Sequence, residues 1–251
     1  MNAITIRDIA LGDGIPKICI PITARTNAEL LEQAEKISKA PCQLVEWRLD
    51  FYQETEQEDW LVVSLNELRR ILGNRVLLAT FRTKAEGGER SISLPEYQAL
   101  NLRLARCEET DLIDLELNRG AELVRELTGQ IHALGKKVIG SYHDFAKTPD
   151  QESIVQILCK MQELGVDITK AALMPRTEQD VLQVLGASEA MKRMYADRPF
   201  ITMSMGTLGG ISRLCGSLTG SAVTFATAGR ASAPGQLDAE LAAQVLQALQ
   251  V

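Results

Sequence analysis

The chain reads as an α/β protein, a (β/α)8 TIM barrel with a short N-terminal β-arm, occupying residues 1–251 as one domain. Three observations predict this. Short β-rich runs recur roughly every 30 residues, and most are followed by a stretch with apolar residues at helical spacing. The connections are short, and strand–helix alternation with short connections demands parallel strands joined by right-handed crossovers. Eight such units in 251 residues suit a closed barrel, which commonly uses about 200–250 residues as a single domain.

Taken in order, residues 4–8 precede the first repeating unit and read as a β-arm at the N-terminal end of the barrel. The strand runs are 17–23, 44–49, 76–82, 112–117, 137–143, 167–172, 200–205 and 222–227. Leu30, Leu31, Ala34 and Ile37 mark the first helix, and residues 61–72, 99–107, 123–134, 154–164 and 181–194 continue the pattern. Thr148-Pro149-Asp150 and Pro175-Arg176-Thr177-Glu178 have the composition of helix starts. Residues 208–221 are glycine-rich, so the seventh helix is expected to be short.

Composition narrows the function classes. With 45% hydrophobic and 24% charged residues, the chain has the makeup of a globular protein with ample core material. A net charge of −6, spread without long runs, argues against nucleic acid or an anionic membrane surface as partner. No run approaches the roughly 18 apolar residues of a membrane span, and residues 1–8 lack the pattern of a signal peptide. Cys19, Cys42, Cys107, Cys159 and Cys215 are odd in number and scattered, as expected of reduced thiols in a cytoplasmic protein. With only His132 and His143 and no Cys-x-x-Cys spacing, no metal site is expected. Gly206-Thr207-Leu208-Gly209-Gly210 follows a strand but matches neither a dinucleotide nor a Walker spacing, so its phosphate signal is weak.

Chemistry is written at the strand ends, where a barrel builds its active site. A period of two puts Glu46, Arg48 and Asp50 on one face of the second run, and Thr80 with Arg82 on the third. The same rule aligns Asp114 with Glu116, Ser141 with His143, and Lys170 with Ile168 and Ala172. A buried parallel strand should be almost continuously apolar. One charged exception is ordinarily an outward side chain meeting a neighbouring helix, and a lone lysine at a strand end ordinarily snorkels to solvent. Several in register point instead to a polar pocket at one mouth. Arg48, Arg82 and Arg213 suit that pocket to an anionic, oxygen-rich small molecule. Burial beside positive charge favours a lysine's neutral amine, which attacks ketones to form Schiff bases. His143, one strand before Lys170 and at the same end, is placed to move protons on the same ligand. Met203 and Met205 read as apolar wall, and His132 as surface structure. On the residues alone, a class I aldolase and a barrel that merely binds an organic acid stay open.

The ordered set Glu46-Trp47-Arg48, Phe81-Arg82-Thr83, Glu86-Gly87-Gly88, Asp114-Leu115-Glu116, Ser141-Tyr142-His143-Asp144-Phe145, Lys170, Met203-Ser204-Met205-Gly206 and Ala231-Ser232-Ala233-Pro234-Gly235-Gln236 resembles type I 3-dehydroquinate dehydratase. The resemblance runs nearly the full length. It implies dehydration of 3-dehydroquinate to 3-dehydroshikimate in the shikimate pathway, with Lys170 forming a Schiff base and His143 as general acid/base. It further implies that Glu86 orients His143 and that Arg213 holds the substrate carboxylate. Glu46, Arg48 and Arg82 would bind hydroxyls and polarise the site, and Ser232 and Gln236 would lie on a closing loop. Some members carry a serine contact at the end of the first strand; Pro21 stands there in this chain and offers no side-chain hydrogen bond. The expected partners are the small-molecule substrate and a second copy of the chain in a homodimer, with no metal and no organic cofactor.

Overall fold

The structure of the protein is a computed structural model, which describes residues 1–53, 58–229 and 235–250. Eight parallel strands form its centre. They are β3 (Lys17–Ile22), β4 (Leu44–Arg48), β5 (Val76–Thr80), β6 (Leu112–Glu116), β7 (Lys137–Asp144), β8 (Ile168–Leu173), β9 (Phe200–Ser204) and β10 (Val223–Thr227). Parallel ladders join them in the order β10-β3-β4-β5-β6-β7-β8-β9. The remaining seam is drawn together where the Ala222 N–H donates to the Phe200 carbonyl at 2.8 Å, and the Thr202 N–H to the Ser221 hydroxyl at 3.1 Å.

Helices α1 (Asn27–Ile37), α2 (Glu58–Leu72), α3 (Leu94–Arg106), α4 (Ala121–Ala133), α5 (Gln151–Glu163) and α6 (Glu178–Ala190) return the chain between successive strands. The seventh, α7 (Gly216–Thr219), is a single turn, as its glycine-rich sequence predicts. A two-residue strand, β11 (Leu237–Asp238), pairs with the upper end of β10 and leads into α8 (Ala239–Ala248). The two cap readings hold: Asp150 accepts from the Ser153 N–H at 2.8 Å, and Thr177 forms a capping box with Asp180. Most helices open two or three residues before their apolar pattern, α6 ends at Ala190 rather than 194, and α3 departs furthest. α3 opens at Leu94 rather than 99, because Ser93 and Glu96 make a capping box whose first turn faces solvent and carries no apolar stripe.

The expected β-arm is a two-stranded antiparallel hairpin, β1 (Ile4–Ile6) with β2 (Ile9–Leu11). Its turn needs a left-handed residue, and Arg7 takes that conformation at φ 55, held by an ion pair to Asp111 at 2.9 Å. Ile6 and Leu11 pack with Cys19, Leu44, Val76, Leu112, Ile168 and Ile201, so the hairpin stoppers the lower end of the barrel interior. Residues of the opposite phase, such as Val45, Trp47, Leu77, Ala79, Ile113 and Leu115, pack outward against the helices. Alternation thus builds two cores, one inside the strands and one outside.

Candidate active site

Followed upward, the inward phase of each strand changes character. Leu44 gives way to Glu46 and Arg48, Leu78 to Thr80, Leu112 to Asp114 and Glu116, Ile139 to Ser141 and His143, and Ile168 to Lys170. The register places Ser141 beside Lys170 and His143 beside Ala172, so the layers match around the ring. Of these, Glu46, Arg48, His143 and Lys170 line a cavity of about 180 Å³ at one mouth, with Arg82, Glu86, Phe145, Met203, Met205, Arg213, Phe225 and Gln236; Asp114, Glu116 and Ser141 lie behind them as partners of Arg82.

Lys170 is 4% exposed. Its Nζ lies 3.9 Å from a Glu46 carboxylate oxygen, 4.0 Å from one of Asp114, and 4.2 Å from the centre of the Phe225 ring. A lysine this deep needs countercharge, and the two carboxylates on β4 and β6 supply it.

Arg48 and Arg82 reach the mouth already partnered. Arg48 forms two 2.7 Å hydrogen bonds to the Asp50 carboxylate. Arg82 lies two residues past the end of β5 and donates to Glu116 at 3.0 Å, Ser141 at 2.9 Å and Asp114 at 2.8 Å. Burial favours loss of the Arg82 charge, but Asp114, Glu116, Glu86 and Glu46 outweigh it, and the guanidinium is held more firmly protonated than usual. Both arginines still line the cavity while their carboxylate partners offset the cost of burying them. Arg213, on the turn after β9, has the less charged surroundings. Its Nη1 donates to the Phe225 carbonyl at 3.4 Å and approaches the Met203 sulfur at 3.7 Å, and burial pushes its pKa down to about 10.

Glu86 and His143 form a pair. The Glu86 Oε2 accepts from the His143 backbone N–H at 3.1 Å and stands 2.9 Å from Nδ1. A tight turn brings Glu86 inward: Gly87 takes φ 82, and a Cβ on Gly88 would run into the Arg82 carbonyl. Burial, with the charges of Arg82, Lys170 and Arg48, lowers the pKa of His143 well below the usual histidine value. Burial, with help from Glu116 and Asp114 and against the pull of Arg82, raises Glu86 to about 8.

Gln236 reaches the cavity from the segment between β10 and β11, where Gly235 at φ 75 presses against the Gly206 carbonyl. Ser232 lies outside the described residues. Pro21 sits beside Glu46 in the β3–β4 ladder and borders a neighbouring cleft with Thr23, Arg25 and Thr227 rather than the Lys170 cavity. His132 is exposed, its Nε2 2.6 Å from Asp167. Reading the sequence missed the lining role of Phe145 and Phe225. The inward phase of β10 gave a signal for Phe225; Phe145, which packs over Gly87 beyond its strand, was marked only as the last residue of the Ser141–Phe145 motif.

A parallel barrel that departs from apolar filling at its C-terminal mouth, and gathers a buried amine and an imidazole there, is of the α/β-barrel enzyme class. Comparison with known proteins narrows this. The Type I 3-dehydroquinase family matches residues 18–251, and the chain belongs to that family. It is 47% identical over 239 residues to a 3-dehydroquinate dehydratase of Syntrophotalea carbinolica, covering 95% of this chain and 94% of that one. Among solved structures, the type I 3-dehydroquinate dehydratase of Clostridium difficile with covalently modified comenic acid superposes with a TM-score of 0.96 at 44% identity, covering 99% and 98% of the two chains. The 3-dehydroquinate dehydratase of Geobacillus kaustophilus gives 0.95 at 35% identity, covering 99% and 96%.

Proposed function

We propose that the chain dehydrates 3-dehydroquinate to 3-dehydroshikimate through a Schiff base on Lys170. The observation that carries this is a nearly fully buried amine sharing one small cavity with a histidine whose Nδ1 is engaged by a buried glutamate. The Lys170 Nζ attacks the C3 ketone, and the carbonyl oxygen leaves as water. The resulting iminium acidifies the C2 proton, because the carbanion formed on its removal is a neutral enamine. With Nδ1–H directed at Glu86, His143 offers Nε2 as the base, and its lowered pKa keeps that nitrogen unprotonated near neutral pH. The enamine then expels the C1 hydroxyl, which takes a proton from the imidazolium, and hydrolysis releases product and lysine. The amine is the protein's own, so this chemistry calls on no metal and no organic cofactor.

Glu86 orients the imidazole, and Arg213 grips the substrate carboxylate. Glu46, Arg48 and Arg82 meet hydroxyls and polarise the site, and Arg82 also fixes Asp114 and Glu116. Gln236 meets the bound substrate from the mouth of the cavity. The covalently modified comenic acid in the Clostridium difficile relative supports a site able to bond an organic acid. The reading includes a cytoplasmic homodimer of the shikimate pathway that takes a small-molecule substrate, and involves neither nucleic acid nor membrane. Among the described residues no helix is long and apolar enough to cross a membrane.

The test is an assay of 3-dehydroquinate for the ultraviolet absorption of the conjugated enone, combined with borohydride. The enzyme should turn over and take up covalent mass at Lys170. Lys170→Ala should lose both properties. His143→Ala should lose turnover by about 10²–10⁴-fold while still trapping imine. Near wild-type turnover by Lys170→Ala would overturn the mechanism.

A further inference from the structure

Phe225 stands in the inward phase of β10 with its ring face 4.2 Å from the Lys170 Nζ. Its place is firmly set: the residue is 5% exposed, it is laddered to Cys19 of β3, and its carbonyl accepts from Arg213 at 3.4 Å. An aromatic face carries negative charge density and attracts a cation within about 6 Å, more strongly where water is excluded. The carboxylates nearest Nζ, at 3.9 and 4.0 Å, come from β4 and β6, so β10 contributes a third and uncharged source of attraction.

We propose that Phe225 is a catalytic residue whose ring face stabilises the positive charge of the iminium formed at Lys170. The proposal rests on the Schiff-base reading above. In that step Nζ bonds to the carbonyl carbon, one amine proton and one further proton leave with the carbonyl oxygen as water, and the nitrogen keeps one proton and a positive charge. That charge resides on the atom the ring faces, and it vanishes when C2 is deprotonated. Relative to the neutral amine that attacks the ketone, the ring therefore favours the iminium. Unlike a third carboxylate, it does so without accepting the proton that the nitrogen must keep.

The test replaces Phe225 with 4-fluoro-, 3,5-difluoro- and 3,4,5-trifluorophenylalanine. These nearly preserve the ring's shape while stepwise draining the charge density of its face. The initial rate of borohydride labelling at Lys170 under saturating 3-dehydroquinate should fall along the series, by about tenfold at the trifluoro member. Binding of a carboxylate analogue lacking the ketone should stay within about twofold, as a repacking effect would not allow. Labelling unchanged across the series would overturn the role of Phe225 and leave Lys170 in place. Absence of labelling in the unsubstituted enzyme would overturn the Lys170 reading, and this proposal with it.

Discussion

Glu86 illustrates how a single side chain can serve chemistry at the expense of stability. Its carboxyl is buried between Arg82 and the carboxylates of Asp114 and Glu116, and its pKa is raised from 4.5 to about 8. In the unfolded chain it ionises near the ordinary value, so between pH 4.5 and 8 the unfolded state sheds a proton that the folded state retains. Stability attributable to this residue therefore falls as pH rises across that window. Glu86→Gln should remove the penalty, gaining of order 2 kcal/mol at pH 8 and little at pH 4.5, while turnover drops as the imidazole loses its orienting partner. Denaturant unfolding at the two pH values checks this; an equal change at both would refute it. At this scale Lys170, His143, Glu46, Arg48 and Asp114 could be picked out from the sequence because a period of two is a covalent property of extended chain. Local periodicity could not supply their partners: Arg82 meets Ser141 across 59 positions, and His143 meets Glu86 across 57, a pairing that only the family resemblance implied.

The segment between β10 and β11 belongs to the element scale. Gly235 adopts φ 75, and a Cβ there would run into the Gly206 carbonyl, so both the conformation and the space oppose a side chain. That close approach delivers Gln236 to the cavity. Gly235→Ala should raise KM several-fold with a smaller change in kcat, and leave borohydride trapping at Lys170 intact. Unchanged steady-state constants would show that the approach of Gly235 to Gly206 does no positioning. Element bounds were readable wherever an apolar stripe or a cap announced them, as at Asp150 and Thr177. They failed at α3, whose first three residues face solvent behind a capping box, and at β5, which ends at Thr80 because Arg82 turns inward to its carboxylates.

For the whole molecule, the proposed homodimer is tested by mass. Sedimentation equilibrium at micromolar concentration should return twice the 27.6 kDa of one chain. A single-chain mass at that concentration would remove the homodimer from the proposal. Barrel closure is also a property of this scale. The ladders around β3 to β10 place residues from seven strands at one mouth, and the β1–β2 hairpin seals the other end with Ile6 and Leu11.

What the sequence determined by itself was periodic: the alternation of strand and helix, the count of eight units, and the inward phase of Glu46, Arg48, Asp114, Ser141, His143 and Lys170. These follow from local geometry, which the residues of each segment specify without reference to the rest of the chain. Only the tertiary structure decided which charges meet. It set Arg48 on Asp50, Arg82 on Asp114 and Glu116, Arg213 against the Phe225 carbonyl, and the Phe225 ring against Lys170. The reason is physical: the cost of burying a charge depends on what lies within a few ångströms, and barrel closure alone brings distant strands that close.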